Sequence, residues 1–129
     1  MSGRFLLDTN IVIALFSGDR SVLEQLAGAM HVSVPCIVLG ELYYGARNSS
    51  RVLENAGRIQ ELQKTVPALA CDAATARHYG EIKFALKTSG TPIPENDIWI
   101  AALAQQHNLK LASRDQHFTR IPSLDVVTW

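Results

Sequence analysis

Apolar residues in this chain fall into two kinds of run, and their spacing predicts the elements. Short runs such as Phe5-Leu6-Leu7 and Val32-Ser33-Val34 have the length and the aromatic or β-branched content of strands. Longer segments repeat apolar positions every three to four residues, as amphipathic helices do. On this pattern strands are expected at 4–7, 31–34, 68–71, 110–112 and 125–129. Helices are expected at 10–16, 21–29, 35–46, 51–64, 72–89 and 95–107, with a short helical turn at 116–119. Capping chemistry sets the boundaries. Ser21, with Glu24 three residues on, has the form of a capping box, and Ser50 and Asp72 are further N-cap candidates. Gly90 is placed to end a helix in left-handed backbone. Pro35 is tolerated in a first helical turn, whereas the prolines of Thr91-Pro92-Ile93-Pro94 bar a helix from continuing. Strands alternating with helices imply right-handed crossovers, hence an α/β fold with a parallel sheet covered on both faces. Ligands of such sheets bind beyond the carboxyl ends of the strands, where strand order reverses.

Composition narrows the partners more than the fold. The 129 residues fit a single domain, 1–129, large enough to bury a core without metal or disulfide staples. Lys plus Arg and Asp plus Glu number 12 each, so any nucleic-acid footprint has to be local rather than a product of net charge. Cys36 and Cys71 lie in apolar runs, form no CxxC, and are expected to be small buried hydrophobes in a reducing compartment. Asp8 and Asn10 interrupt the first apolar stretch, which argues against a signal peptide, and no run reaches the roughly 20 residues of a membrane span. The expectation is a cytoplasmic protein with no membrane partner.

Four acids stand out by their surroundings. Asp8 follows the strand Phe5-Leu6-Leu7, and Asp115 follows the strand 110–112 within Ser113-Arg114-Asp115. Glu41 lies in a largely apolar helix, with no Lys or Arg three or four residues away on either side. Asp97 sits in the first turn of a helix that then turns apolar. Singly, Asp97 would suit the positive end of a helix dipole, and Asp8 and Asp115 would serve as turn or cap residues. Glu41 is harder to account for that way, because a desolvated carboxylate needs a cation or a proton. Taken together they read as a site. Two carboxylates about 4 Å apart repel by roughly 4 kcal/mol at an effective dielectric of about 20. A cluster of them persists only around something strongly positive. Hard oxygen donors point to Mg²⁺ or Mn²⁺ rather than Zn²⁺, and such an ion suits phosphodiester hydrolysis by an activated water.

The stretches around these acids are Leu6-Leu7-Asp8-Thr9-Asn10-Ile11, Gly40-Glu41-Leu42-Tyr43-Tyr44-Gly45-Ala46 and Pro94-Glu95-Asn96-Asp97-Ile98-Trp99. A fourth, Leu111-Ala112-Ser113-Arg114-Asp115-Gln116-His117-Phe118, runs on to the segment 121–129. In order and spacing, over essentially the whole chain, they resemble the PIN-domain nucleases, and among them the VapC-type toxins of type II toxin–antitoxin pairs. The resemblance implies a three-layer α/β/α sandwich with a central parallel sheet. It implies an Mg²⁺-dependent endoribonuclease, Mn²⁺ being able to substitute, whose products carry 5′-phosphate and 3′-hydroxyl ends. It assigns Asp8, Glu41, Asp97 and Asp115 as the catalytic, metal-holding acids, with Asn10 and Ser113 supporting them. Ser113 stands where the family usually has Thr and keeps the hydroxyl; Ser123 stands where it usually has Gly. The implied partners are an RNA substrate, a VapB-type antitoxin that holds the enzyme inactive, and a second copy in a homodimer.

Other side chains admit two readings each. Arg114 either binds phosphate or braces Asp115. His117, close to Asp115 in sequence, either touches substrate or takes a structural or surface role; the second is assigned, because the four histidines share no metal-ligand spacing. Tyr43, Tyr44 and Trp99 either stack on bases or fill core and interface, and Arg47, Arg51 and Arg58 either contact backbone phosphates or form a solvated face. Glu95 points about 200° around the helix from Asp97 and is set aside as a ligand. Outside the toxin reading stand an RNA-processing PIN nuclease and a non-catalytic module whose acids hold metal or a basic peptide. A receiver-like phosphoacceptor is disfavoured, since Lys110 precedes its strand instead of following it.

Overall fold

The structure, a computed structural model, describes residues 3–129. Five strands, β1 (Arg4–Leu7), β2 (His31–Pro35), β3 (Ala68–Leu69), β4 (Lys110–Ala112) and β5 (Val126–Val127), form one all-parallel sheet in the order β3-β2-β1-β4-β5. Six α-helices flank it: α1 (Thr9–Phe16), α2 (Arg20–Gly28), α3 (Cys36–Arg47), α4 (Val52–Gln63), α5 (Ala73–Ser89) and α6 (Glu95–Gln106). A 3₁₀ helix, Gln116–Arg120, follows β4. The α/β/α sandwich expected from the sequence is the fold found.

Strand order explains the layers. The chain steps from β1 outward to β2 and β3, then returns past β1 to β4. With right-handed crossovers, that reversal sends α1 to α4 to one face and α5 with α6 to the other. It also leaves a crevice where β1 and β4 run side by side and their connections diverge, at the carboxyl edge. Leu6, Leu7, Val34, Leu111 and Ala112 line the buried sheet, and the α6 run Ile98 to Ala104 is almost wholly enclosed, as is Phe118 of the 3₁₀ helix.

Caps decide where the helices begin, and here two expectations are corrected. Asp19, not Ser21, caps α2: its carboxylate accepts from the Val22 amide at 3.2 Å, so the helix begins one residue before Ser21. Asp competes well for this role because its oxygen reaches the same orphan amide with full negative charge. Ser50 caps nothing; α4 starts at Val52 behind Arg51 without a side-chain cap. The Asp72 cap of α5 is found, in a reciprocal box with Thr75, and Gly90 ends that helix at φ +69°. The outer strands are shorter than their apolar runs suggest, two residues each for β3 and β5, since each has a neighbour on one side only. Cys36 and Cys71 are exposed rather than buried. Both lie just past strand ends, where the chain surfaces, and burial of neighbouring apolar residues does not carry them inward.

Candidate active site

The carboxyl edge of β1 and β4 gathers the acids. Asp8, the residue after β1, is the N-cap of α1 and accepts from the Thr9 amide at 2.8 Å. It is only 5% exposed. Ser113, the residue after β4, is fully buried and donates its hydroxyl to Asp8 Oδ2 at 2.7 Å. The same hydroxyl oxygen accepts from the Asp115 amide at 3.0 Å, so one serine ties the ends of the two central strands together. Asn10 donates to Asp8 Oδ2 at 3.2 Å, and its carbonyl oxygen accepts from the Arg114 amide at 3.1 Å. Glu41, half-buried midway along α3, accepts from Thr9 Oγ at 2.7 Å. Asp97 enters from the first turn of α6, and Asp115 caps the 3₁₀ helix through the His117 amide at 2.9 Å.

The acids sense one another. Burial pushes Asp8 above the ordinary carboxylate range, partly countered by Ser113 and Thr9, and the charges of Glu41 and Asp115 push it further. Asp97 is raised by burial first, with Asp115 and Asp8 adding to the effect and His117 opposing it. Among the described residues no Lys or Arg pairs with any of the four. Acids from four separate segments therefore feel one another's charge, Asp8 with Glu41 and Asp115, and Asp97 with Asp8 and Asp115, with only His117 lying against two of them. That donor set suits a hard divalent cation, and the three oxygen-bearing supports Asn10, Ser113 and Thr9 fix the orientation of the carboxylates.

Arg114 points elsewhere. Its guanidinium donates to the Trp129 carbonyl oxygen at 2.8 Å and pairs with Asp19 at 3.0 Å, joining the segment after β4 to α2 and to the last residue. Glu95 bonds Tyr79 and Lys83 on α5, away from Asp97. Trp99 stacks on Tyr79 at 4.1 Å between ring centroids, and Tyr43 donates to Gln63. Tyr44 differs: it is 73% exposed and borders an open cavity of about 590 Å³ with Glu41 and Asn96. Arg51 and Arg58 both pair with Glu54 on the surface of α4.

The residue that sequence reasoning passed over is His117. Its Nδ1 lies 3.0 Å from Asp97 Oδ2 and 3.1 Å from Asp115 Oδ1, between the two acids. The only sequence signal was its position two residues after an acid, Asp115-Gln116-His117.

The chain is similar to known proteins over nearly its whole length. The PIN domain model matches residues 5–124. Ribonuclease VapC2 of Haemophilus influenzae is 38% identical over 133 residues, with 98% of each chain covered. The tRNA(fMet)-specific endonuclease VapC of Shigella flexneri is 32% identical, again with 98% of each chain covered. Among solved structures, VapBC2 from Rickettsia felis bound to a DNA fragment from its promoter superposes with a TM-score of 0.89 at 27% identity. That match covers 100% of this chain and 99% of the other.

Proposed function

The chain belongs to the PIN-domain family, and from that premise we propose that it is a VapC-type toxin, an endoribonuclease controlled by a VapB-type antitoxin. The observation that carries the reading is that Asp8, Glu41, Asp97 and Asp115 gather towards the β1/β4 edge with no Lys or Arg among the described residues paired to any of them. Mg²⁺ is the ion this oxygen-rich set suits best, with Mn²⁺ able to replace it. The chemistry such an ion supplies is Lewis acidity, which neutralises the phosphate and acidifies the attacking water. The chain's own residues do the rest. Asp8, Glu41, Asp97 and Asp115 hold the ion and so turn a site that would repel a polyanion into one that accepts it. Ser113 and Asn10 keep the Asp8 carboxylate aimed inward and Thr9 that of Glu41, sparing the site their rotational freedom at the moment of reaction. Tyr44, exposed beside Glu41, offers a face on which an unpaired base can stack, consistent with single-stranded RNA as substrate. Arg114 we assign to bracing the loop that carries Asp115.

A cleft between α1, α3 and α4, of about 330 Å³ and bordered by Ile13, Phe16, Leu42 and Ile59, leads to Thr9 and Glu41. An antitoxin segment lying there would bring a basic side chain within reach of the acids, where an Arg fork competes with the ion for the same oxygens. Phe84, a large apolar residue left exposed on α5, supports a homodimer. Among the described residues no helix is long and apolar enough to cross a membrane.

The test is cleavage of cellular RNA after induction, read by sequencing its 5′ ends beside an Asp8→Asn control. New 5′-phosphate ends that depend on Asp8 and vanish when the antitoxin is co-expressed are expected. Metal binding without any cleavage would favour the non-catalytic module instead.

A further inference from the structure

We propose that His117 Nδ1 is itself a ligand to the divalent ion, making the donor set mixed oxygen and nitrogen and tilting it from Mg²⁺ toward Mn²⁺. The inference rests on the metal reading above and adds a residue to it. The geometry begins with spacing. Ligand atoms of Asp97, Asp115 and His117 lie within 4.8 Å of one another, and Nδ1 is 3.0 and 3.1 Å from the two carboxylate oxygens. Neighbouring ligands of an octahedral ion about 2.1 Å away are themselves roughly 3.0 Å apart. The imidazole nitrogen therefore already stands along an edge of the coordination polyhedron that the acids outline.

The ring is also held there. The His117 amide donates to Asp115 Oδ1 at 2.9 Å, and the next residue, Phe118, is completely buried. Backbone and core fix the point from which the ring reaches both acids, while the ring itself stays partly open to solvent. In the tautomer with its proton on Nε2, Nδ1 presents a lone pair to the acids, which two carboxylates tolerate only with a cation between them. Imidazole is a better donor for Mn²⁺ than for Mg²⁺, which keeps to oxygen. The alternative is that Nδ1 carries its proton and hydrogen-bonds the two acids, staying outside the ion's shell.

Electron spin-echo spectroscopy on the full chain loaded with Mn²⁺ separates the two, because it detects a nitrogen-14 nucleus bonded to the metal. The expected result is imidazole-type modulation in the wild type. It should be absent in both His117→Ala and His117→Gln, which still bind Mn²⁺ by calorimetry and keep their thermal transition. The Mn²⁺ over Mg²⁺ affinity ratio should fall by roughly tenfold in both. His31, the first residue of β2, and His107, after α6, lie at the opposite end of the sheet, and His78 lies within α5, so the two substitutions single out His117. Bound Mn²⁺ without nitrogen modulation, or modulation that survives both substitutions, overturns the proposal and leaves the four-acid site standing. Absence of Mn²⁺ binding in the wild type overturns both.

Discussion

A single hydroxyl shows how much of this site depends on small groups. Ser113 donates to Asp8 and accepts from the Asp115 amide, so it sets the spacing of two acids from different strands. Ser113→Ala leaves the buried Asp8 carboxylate and the half-buried Asp115 amide each short of one bond, which costs about 1–3 kcal/mol of stability. The same variant should raise the Mg²⁺ concentration at which cleavage is half-maximal, because Asp8 loses its orientation. Ser113→Thr, which restores the hydroxyl, should recover the metal dependence if the buried pocket takes the extra methyl. Unchanged metal dependence in the alanine variant would show that Ser113 acts on stability alone. Arg114 gives the opposite expectation. Its guanidinium is committed to Asp19 and the Trp129 carbonyl, so Arg114→Ala should lower the melting temperature and leave KM for RNA unchanged. A raised KM with an unaltered melt would return Arg114 to phosphate binding. The sequence showed which acids to suspect, since each sits at a strand end or against apolar neighbours. It could not show His117 or the aim of Arg114, because both depend on which distant segment lies opposite.

At the scale of elements, α5 carries two glycines that should respond with opposite sign. Gly90 closes the helix at φ +69°, and a Cβ there meets no atom within 4 Å, so Gly90→Ala pays only the backbone penalty, about 1–2 kcal/mol. Gly80, inside the helix and equally unobstructed, should gain about 0.5–1 kcal/mol on replacement by Ala. Denaturant unfolding of the two variants beside wild type checks the pair; a loss of stability at both would mean that Gly80 contacts something outside the monomer, such as a second copy. Boundaries were legible where one residue type dominated the local chemistry, as at Asp72 and Gly90. They were misread where two caps competed, as at Asp19 and Ser21, and where a strand's length depended on its pairing, as in β3 and β5. The exposure of Cys36 and Cys71 was misread for a related reason: apolar neighbours report the interior of an element, whereas Cys36 is the first residue of α3 and Cys71 lies in the loop after β3.

For the molecule as a whole, the site is a local instability that the fold tolerates. Four acids, separated by up to 107 residues of chain between positions 8 and 115, meet because the strand order reverses at β1 and β4. The alternation of strands and helices made the α/β class readable; the reversal point emerged only with the strand order itself. Asp8 and Asp97 hold protons more tightly in the folded chain than their ordinary value of 3.8. In metal-free protein these two groups therefore favour the fold fully below about pH 3.8, and that contribution is lost as pH rises through their elevated folded values. Metal binds the ionised forms, so the rise in melting temperature produced by Mg²⁺ should grow with pH across that window and fade on acidification. Melts with and without millimolar Mg²⁺ at several pH values measure it. A stabilisation independent of pH would place the ion away from Asp8 and Asp97.

The central claim, that the four acids hold one catalytic metal site, is tested most directly by the Mg²⁺ dependence of RNA cleavage in folded single variants. Asp8→Asn, Glu41→Gln and Asp97→Asn should each cut the rate at saturating Mg²⁺ by at least about 10²-fold, with Asp115→Asn less affected. Their thermal transitions should stay cooperative. A wild-type rate in any of the first three would remove that residue from the site, and wild-type rates in all three would contradict the claim.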